Sequence, residues 1–532
     1  MTETAAATGS APWRPSLPRP TGHDALAGLS VALVLVPQSL AYAVLAGMPP
    51  AAGLVVGAVA TLAAAPFVSS PYLQTGPVAI TALLTFGGLA GLADPSTPRY
   101  VALAALLALL VGIVRLVIGA TRAGALAYLM SQPVLAGFTP AAALVIAISQ
   151  LPDMLGVVAD GRGPVRTLPA VVEVGSWDPT TIALAVLTVA VLLGTRRFHA
   201  LFPSVLVAVI LGLVVAAAIG FEGATVGDIP SALPRLDLTL PWDEFPALAV
   251  PALVIALVGF AEPAAIARTY AQQTRTRWDA DREFFGQGMA NVASGLFGGF
   301  PAGGSFSRSA VAKDAGARTG WTGAVTGLLV LGASPFVGVF ERLPSAVLAA
   351  VIFASVLSLM PPREMLQLRR WSRQQFVIAL TTFVLTLALA PQIQYAILVG
   401  VGLSVGAHLR RELTVAAPSW VEGEVVHLRP LGVLYFGSAH RLEDQVTDLL
   451  SEHGDVDELV IHMDRLGRVD VTGALALRSL VEHLADVGVT ARVVDLTPTS
   501  QKIVDRVLAD DDTEVRSLRP TDLGAPKRPP GS

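Results

Sequence analysis

GGFPAGGSFSRSAVAKDAGARTG, residues 298–320, decides how this chain folds. Long apolar runs flank it, yet it is too polar and too rich in glycine to cross a bilayer as a regular helix. Irregular backbone at membrane depth survives only where protein buries it or where it lines a cavity. A second short segment, GPVAITALLTFGGLA at 76–90, is Gly-bounded in the same way, and an offset of 228 residues carries Gly76 onto Gly304. The same offset brings Gln38, beside Pro37, to within a few residues of Glu262, beside Pro263. Breaks at matching positions of two halves are the pattern of a transporter built from inverted repeats.

The composition of the chain fits that setting. Of 532 residues, 53% are hydrophobic and only 14% charged, about half the usual supply of charge for a wetted surface. That excludes a single soluble globule, and it excludes disorder, which needs low hydrophobicity and high net charge. A formal net charge of -4 offers nothing to neutralise a phosphate backbone, so nucleic acid is no partner. With zero cysteines there is neither a disulfide nor a thiolate centre.

At roughly 28 residues per span with its connection, residues 24 to 408 hold about fourteen spans. They start near residues 24, 51, 76, 99, 131, 180, 200, 247, 282, 305, 321, 344, 373 and 393. The expected fold is an α-helical membrane protein with two inverted repeats of seven spans, about 24–220 and 246–412. A cytoplasmic tail, 1–22, precedes them. Arginine and lysine collect in loops on one side (Arg122; Arg196 and Arg197; Arg268, Arg275 and Arg277; Lys313 and Arg318; Arg369 and Arg370), while the acid-rich loops 152–178 and 221–246, with Arg162 among their few cations, fall on the other. By the positive-inside rule both termini are then cytoplasmic.

After Pro418 the pattern changes. EVVHLRPLG, VLYFGSA, ELVIHMDRL and ARVVDLT read as strands, separated by helical stretches at 440–452 and 473–486 and followed by one at 498–508. Strands alternating with helices on this scale make a small α/β domain, 413–515. The tail 516–532 is polar, Pro-rich and expected to be disordered.

Ionisable groups inside spans are expensive unless paired or wetted, so each marks a candidate site. Glu262 lies in LAVPALVIALVGFAEPAAIA (248–267), where Pro263 removes a backbone donor; the alternative is a carboxylate snorkelling at the cytoplasmic end. Arg308 follows the Gly-rich stretch and begins the tenth segment, near the N-terminus of a half-helix whose orphan amides carry partial positive charge. Gly76 and Pro77 repeat that arrangement in the third. Two such termini facing each other at mid-membrane would set the amides of Val78, Ala79, Ser305, Phe306 and Ser307 around one small anion. The competing fate for Arg308 is a structural bond to a backbone carbonyl or a carboxylate. Arg115, in LLVGIVRLVIGA, lies near the cytoplasmic end of its span and is expected to snorkel. No Walker, GxSxG or metal-ligand spacing appears, so neither an enzyme nor ATP-driven transport is expected.

VPQSLAYAVLAGMPPAAGL (36–54) resembles the signature of the SulP family, the sulfate permease or solute carrier 26 anion transporters. The resemblance continues through QTGPVAITAL (74–83), SQPVLAGFTPAAALVIAISQL (131–151), GFAEPAAIARTYA (259–271) and GGSFSRSAV (303–311), and on to a C-terminal region similar to a STAS domain. It implies a core domain moving against a gate domain, with an anion held between the third and tenth helices. Family positions that contact the anion match Gln38, Tyr42, Val78, Ala79 and, beside Gly304, the run Ser305, Phe306, Ser307 and Arg308. The acidic coupling position matches Glu262, which bacterial relatives use for H+ or Na+ symport. Ala79 stands where some bicarbonate carriers have a hydroxyl, which weakens the case for bicarbonate. The STAS switch loop, roughly DSSG in regulated members, reads Asp470, Val471, Thr472 and Gly473, leaving Thr472 as either a phosphorylation position or a helix cap.

The expected function is therefore secondary active transport of a small anion (sulfate, bicarbonate, chloride or a dicarboxylate), H+- or Na+-coupled, in a bacterial cytoplasmic membrane. No cofactor is expected, and no metal other than Na+ near Glu262. The expected partners are the lipid bilayer, a second copy of the chain and a cytoplasmic regulator at the STAS domain. Two alternatives are a nucleobase-type permease of the same plan, which the cation at Arg308 disfavours, and a membrane-anchored STAS signalling module, which needs no broken helices.

Overall fold

The computed structural model describes residues 14–15, 18–128, 131–158, 164–174, 177–195, 202–229, 234–412, 417–435, 437–452 and 456–508. Arg162, Arg196, Arg197 and the tail 516–532 lie outside them. The chain divides into two compact units, Met1–Ser404 and Val405–Ser532.

In the first unit, helices α1 (Gly22–Leu45), α2 (Pro50–Ala64), α3 (Ala79–Leu89), α4 (Pro98–Ala120), α5 (Gln132–Leu155), α6 (Pro179–Thr195) and α7 (Ser204–Ile219) form the first half. The second comprises α8 (Trp242–Thr274), α9 (Ala280–Leu296), α10 (Phe306–Asp314), α11 (Trp321–Phe340), α12 (Ser345–Val356), α13 (Arg373–Ala388) and α14 (Gln394–Glu412). Their starts follow the expected spans, and α3 and α10 are the short ones, at 11 and 9 residues. Among the described residues, five helices are long and apolar enough to cross a membrane. Hydropathy did not reveal two further helices in the connections, Pro164–Val174 and Arg363–Trp371, because each is amphipathic rather than apolar throughout.

The helices pack in two groups. α1 to α4 pack with α8 to α11, while α5 to α7 pack with α12 and α13. The first group is drawn tight by backbone approach between α4 and α9: a Cβ at Gly112 would meet the Val292 amide at 2.6 Å, and one at Gly288 the Leu116 amide at 2.8 Å. Small residues permit that approach, and without a hydrophobic drive between helices in lipid, such packing is a main source of cohesion.

The second unit has a four-stranded sheet in the order β3 (Ser419–Glu422), β4 (Val425–Leu428), β6 (Glu458–His462), β8 (Thr490–Val494), parallel except for the β3–β4 hairpin. A separate parallel pair joins β5 (Gly432–Leu434) to β7 (Leu466–Val469). Helices α15 (Ala439–Glu452), α16 (Val471–Asp486) and α17 (Pro498–Leu508) complete it. Val426, Leu428, Leu459 and Ile461 alternate inward to a core shared with Leu442, Val446, Leu477 and Val481. The short strands β3 and β7 escaped the sequence reading, since four half-exposed residues carry little periodic signal.

Candidate functional site

The two breaks of the first unit meet. Thr75–Gly76 (β1) pairs antiparallel with Gly303–Gly304 (β2), Thr75 opposite Gly304 and Gly76 opposite Gly303. α3 leaves β1 after Pro77, with extended Val78 as its N-cap; α10 leaves β2 with Ser305 as its N-cap. The paired strands thus set two helix N-termini, from opposite halves of the sequence, side by side. Gly76 has φ 150°, a conformation that side-chain-bearing residues rarely adopt, and a Cβ there would press on Arg308 Nη2 at 3.3 Å.

A polar scaffold behind the strands holds this geometry. Asn291 on α9 accepts from the Ala302 amide (2.9 Å) and donates to the Ala302 carbonyl (3.2 Å). Ser294 donates to the Phe300 carbonyl, Gln287 to the Thr75 hydroxyl, and Thr61 to the Thr75 carbonyl. Each of these side chains is buried, where an unsatisfied backbone group is costly. Sequence reasoning missed this set. Its only trace is the spacing of Gln287, Asn291 and Ser294 at i, i+4 and i+7, one stripe of α9.

Arg115 belongs to the scaffold as well. Instead of snorkelling it is fully buried, donating from Nε to Ala256 O (3.1 Å), from Nη2 to Ile255 O (3.0 Å) and from Nη1 to Ala302 O (3.0 Å). The expectation failed because hydropathy cannot show that α8 and Ala302, just before β2, bring three carbonyls to that depth.

Arg308 is also fully buried, but differently served. Nη1 donates to Gln38 Oε1 at 3.2 Å, while Nε and Nη2 have no hydrogen-bond partner among the described residues. Among the described residues no carboxylate lies within ion-pair distance of Arg308, and its hydrogen-bond partner is the side-chain amide oxygen of Gln38. Glu262 Oε1, half-buried, accepts from the Phe306 amide at 3.4 Å at the start of α10. Tyr42, buried one turn beyond Gln38, lies within reach of the Arg308 and Glu262 charges and the Ser355 hydroxyl. Ser305 and Ser307 place their hydroxyls 3.2 Å apart. Phe306 is 48% exposed and Ser307 open, while Val78, Gly304 and Ser305 are buried and Ala79 half-buried.

One expected donor drops out. The Ser305 amide donates to the Gln74 carbonyl at 3.1 Å, so it is spent on the scaffold and not free for an anion. In the second unit Thr472 sits exposed in the first turn of α16, and the cap is Asp470, whose carboxylate accepts from the Gly473 amide at 2.7 Å. Thr472 is therefore no cap. Among the described residues no cluster of three His, Cys, Asp or Glu side chains is placed to hold a metal.

Comparison with known proteins finds relatives of both units. The sulfate permease family profile matches residues 22–382, and the STAS domain profile residues 420–519. A probable sulfate transporter of Mycobacterium tuberculosis is 35% identical over 396 residues, covering 73% of this chain and 70% of that protein. The chloroplastic sulfate transporter 4.1 of Arabidopsis thaliana is 30% identical over 501 residues, covering 86% and 73%. Among solved structures, the murine solute carrier 26 family member A9 anion transporter in its inward-facing state superposes with a TM-score of 0.81 at 19% identity, over 91% of this chain and 87% of that one. The transmembrane domain of the cyanobacterial bicarbonate transporter BicA gives 0.62 at 25% identity, over 72% and 97%.

Proposed function

The chain belongs to the sulfate permease family of anion transporters and carries a STAS domain, and from that premise we propose that it is a secondary active carrier of a small inorganic or organic anion. The anion would lie at the N-termini of α3 and α10, against the amides of Ala79, Phe306 and Ser307, the Ser305 and Ser307 hydroxyls and the free N–H groups of Arg308, with Gln38 and Tyr42 closing the site from α1. One observation carries this reading: Arg308 is a fully buried cation with two unfilled donor atoms beside two helix N-termini. A buried guanidinium in that state is poised for an anion, because an unpaired charge away from water is unfavourable until a counter-ion arrives.

Glu262 would supply coupling. Its carboxylate accepts from the Phe306 amide, one of the donors an anion would use. Binding H+ or Na+ at Glu262 removes its repulsion of the anion and releases that amide, so cation and anion load together. Alternating access follows if the group α1–α4 with α8–α11 moves against α5–α7 with α12–α14, biased by the differing affinities of the loaded and empty states. We place the carrier in a bacterial cytoplasmic membrane as a homodimer with both termini cytoplasmic. The STAS domain would receive a regulator, with exposed Thr472 as a candidate phosphorylation position. Sulfate or a dicarboxylate is the preferred cargo.

Proteoliposome uptake tests the reading directly. Labelled sulfate, bicarbonate, chloride and dicarboxylates are offered under imposed pH and Na+ gradients, with Glu262→Gln in parallel. Accumulation of one anion driven by one gradient is expected in the wild type, with loss of gradient dependence in the variant. Full gradient-driven accumulation by Glu262→Gln removes the coupling role, and uptake of none of these anions removes the cargo class.

A further inference from the structure

Arg115 brings a full positive charge into the interior of the first unit with nothing of opposite sign beside it. Three carbonyl oxygens satisfy its donors, but dipoles do not cancel a net charge, and no carboxylate lies within ion-pair distance among the described residues. A guanidinium does not deprotonate in proteins, so the charge is permanent.

The position of that charge is set by what it touches. Nη1 bonds the carbonyl of Ala302, three residues before Ser305 at the start of α10. On the other side, a Cβ at Gly259 would stand 2.8 Å from Arg115 Nη2 and 3.0 Å from the Thr81 methyl, and Thr81 is in the first turn of α3. Arg115 therefore sits directly behind both half-helix starts. At roughly 3.5 Å per residue of chain plus one hydrogen bond, it is no more than about 13 Å from Ser305.

We propose that Arg115 is a second cation of the anion site, acting through space rather than by contact, and that it sets a preference for doubly over singly charged anions. The proposal rests on the reading above that the anion lies at the N-termini of α3 and α10. Arg308 and an ionised Glu262 cancel to zero. The two helix termini contribute roughly +0.5 each, so Arg115 raises the total to roughly +2 before Glu262 takes up its cation and roughly +3 after; in either state Arg115 adds one charge, which attracts a dianion twice as strongly as a monoanion.

A through-space effect has a signature that a loss of packing lacks, because Coulomb energy scales with the charge of the ligand. At the outer limit of about 13 Å and an effective dielectric of about 20 to 40, removing one charge weakens binding of a monoanion by at least roughly three- to tenfold. A dianion weakens by the square of that factor, roughly ten- to a hundredfold. The test uses the full-length protein and equilibrium binding of sulfate and its singly charged tetrahedral analogue perchlorate, with bicarbonate as a second monoanion. Arg115→Met and Arg115→Gln should each lower the preference for sulfate over perchlorate about three- to tenfold. Arg115→Lys keeps the charge with fewer hydrogen bonds and should retain the wild-type preference. Asn291→Ala loosens the same Ala302 peptide without changing charge and should weaken sulfate and perchlorate by the same factor, leaving their ratio unaltered.

The proposal is overturned if both affinities fall in parallel in the neutral variants, if Arg115→Lys loses the preference as Arg115→Met does, or if Asn291→Ala shifts it equally. Arg308→Met separates this from the underlying reading. If sulfate binding survives Arg308→Met, the placement of the anion fails and the proposal falls with it. If that variant abolishes binding while the neutral Arg115 variants leave the preference intact, only the proposal fails.

Discussion

Replacing Arg308 with methionine should make the empty protein no less stable while abolishing its response to anions. In the wild type the guanidinium is fully buried, keeps one hydrogen bond, to Gln38, and leaves Nε and Nη2 unfilled. A buried charge with so little compensation costs several kcal/mol, and an apolar chain of similar length removes that cost. Two charge-assisted hydrogen bonds to an anion are worth about 1.5–3 kcal/mol each, so losing both weakens binding by at least about a hundredfold. Thermal unfolding in detergent across a sulfate titration reads both effects. At a hundred times the wild-type dissociation constant, sulfate should stabilise the wild type by about 2.7 kcal/mol and the variant by no more than about 0.4 kcal/mol. An unchanged sulfate-dependent shift in the variant would refute the reasoning. So would a sulfate-free midpoint several degrees below wild type, which would mean that Arg308 holds the fold together.

Other perturbations address other parts of the molecule. Gly112→Val should cost several kcal/mol and collapse expression of folded protein, because its Cβ would already stand 2.6 Å from the Val292 amide; a normal melting temperature for that variant would show that α4 and α9 do not touch as described. Asp470→Ala removes the cap of α16 and should destabilise the second unit by about 1 kcal/mol, seen as faster hydrogen exchange at 471–474, whereas Thr472→Ala should not. His427 is held below its ordinary value by burial and then by His462, whose Nε2 lies 3.0 Å from it, with Glu422 and Glu458 opposing the shift and Arg429 adding to it. Its folded form therefore disfavours the proton, so its contribution is complete above about pH 6.5 and declines as pH falls below that value. Exchange protection of 425–428, corrected for intrinsic rate, should drop between pH 7.5 and 5.5, and His427→Gln should flatten that dependence.

Much of the membrane architecture was legible before any coordinates, because lipid imposes a simple rule. Each span must be apolar over its length, and the two that are not, at 76–90 and 298–320, stand out against it. The two half-helices and their facing N-termini follow from that exception and from the repeat, whereas the short strand pair that joins them, Thr75–Gly76 with Gly303–Gly304, came only with the structure. Side-chain partners were less legible. The Gly- and Ser-rich flanks of Arg308 marked it as the open cation, but the apolar flanks of Arg115 gave no sign of the three carbonyls that hold it. The polar scaffold of Gln287, Asn291 and Ser294 was missed for a similar reason, since a polar stripe on a helix acquires meaning only when its acceptors are known.

The sequence by itself determined the class of protein, the order of its spans, the two breaks, the α/β character of the C-terminal unit and the residue types available at the breaks. All of these depend on local composition and spacing, which solvent and lipid read segment by segment. Only the tertiary structure decided which charge is free. The carbonyls that occupy Arg115 come from residues 140, 141 and 187 positions away, and the glutamine that half-occupies Arg308 comes from 270 positions away. Whether a buried cation is paired depends on distance in space, and that distance is settled only when the two halves of the chain pack together.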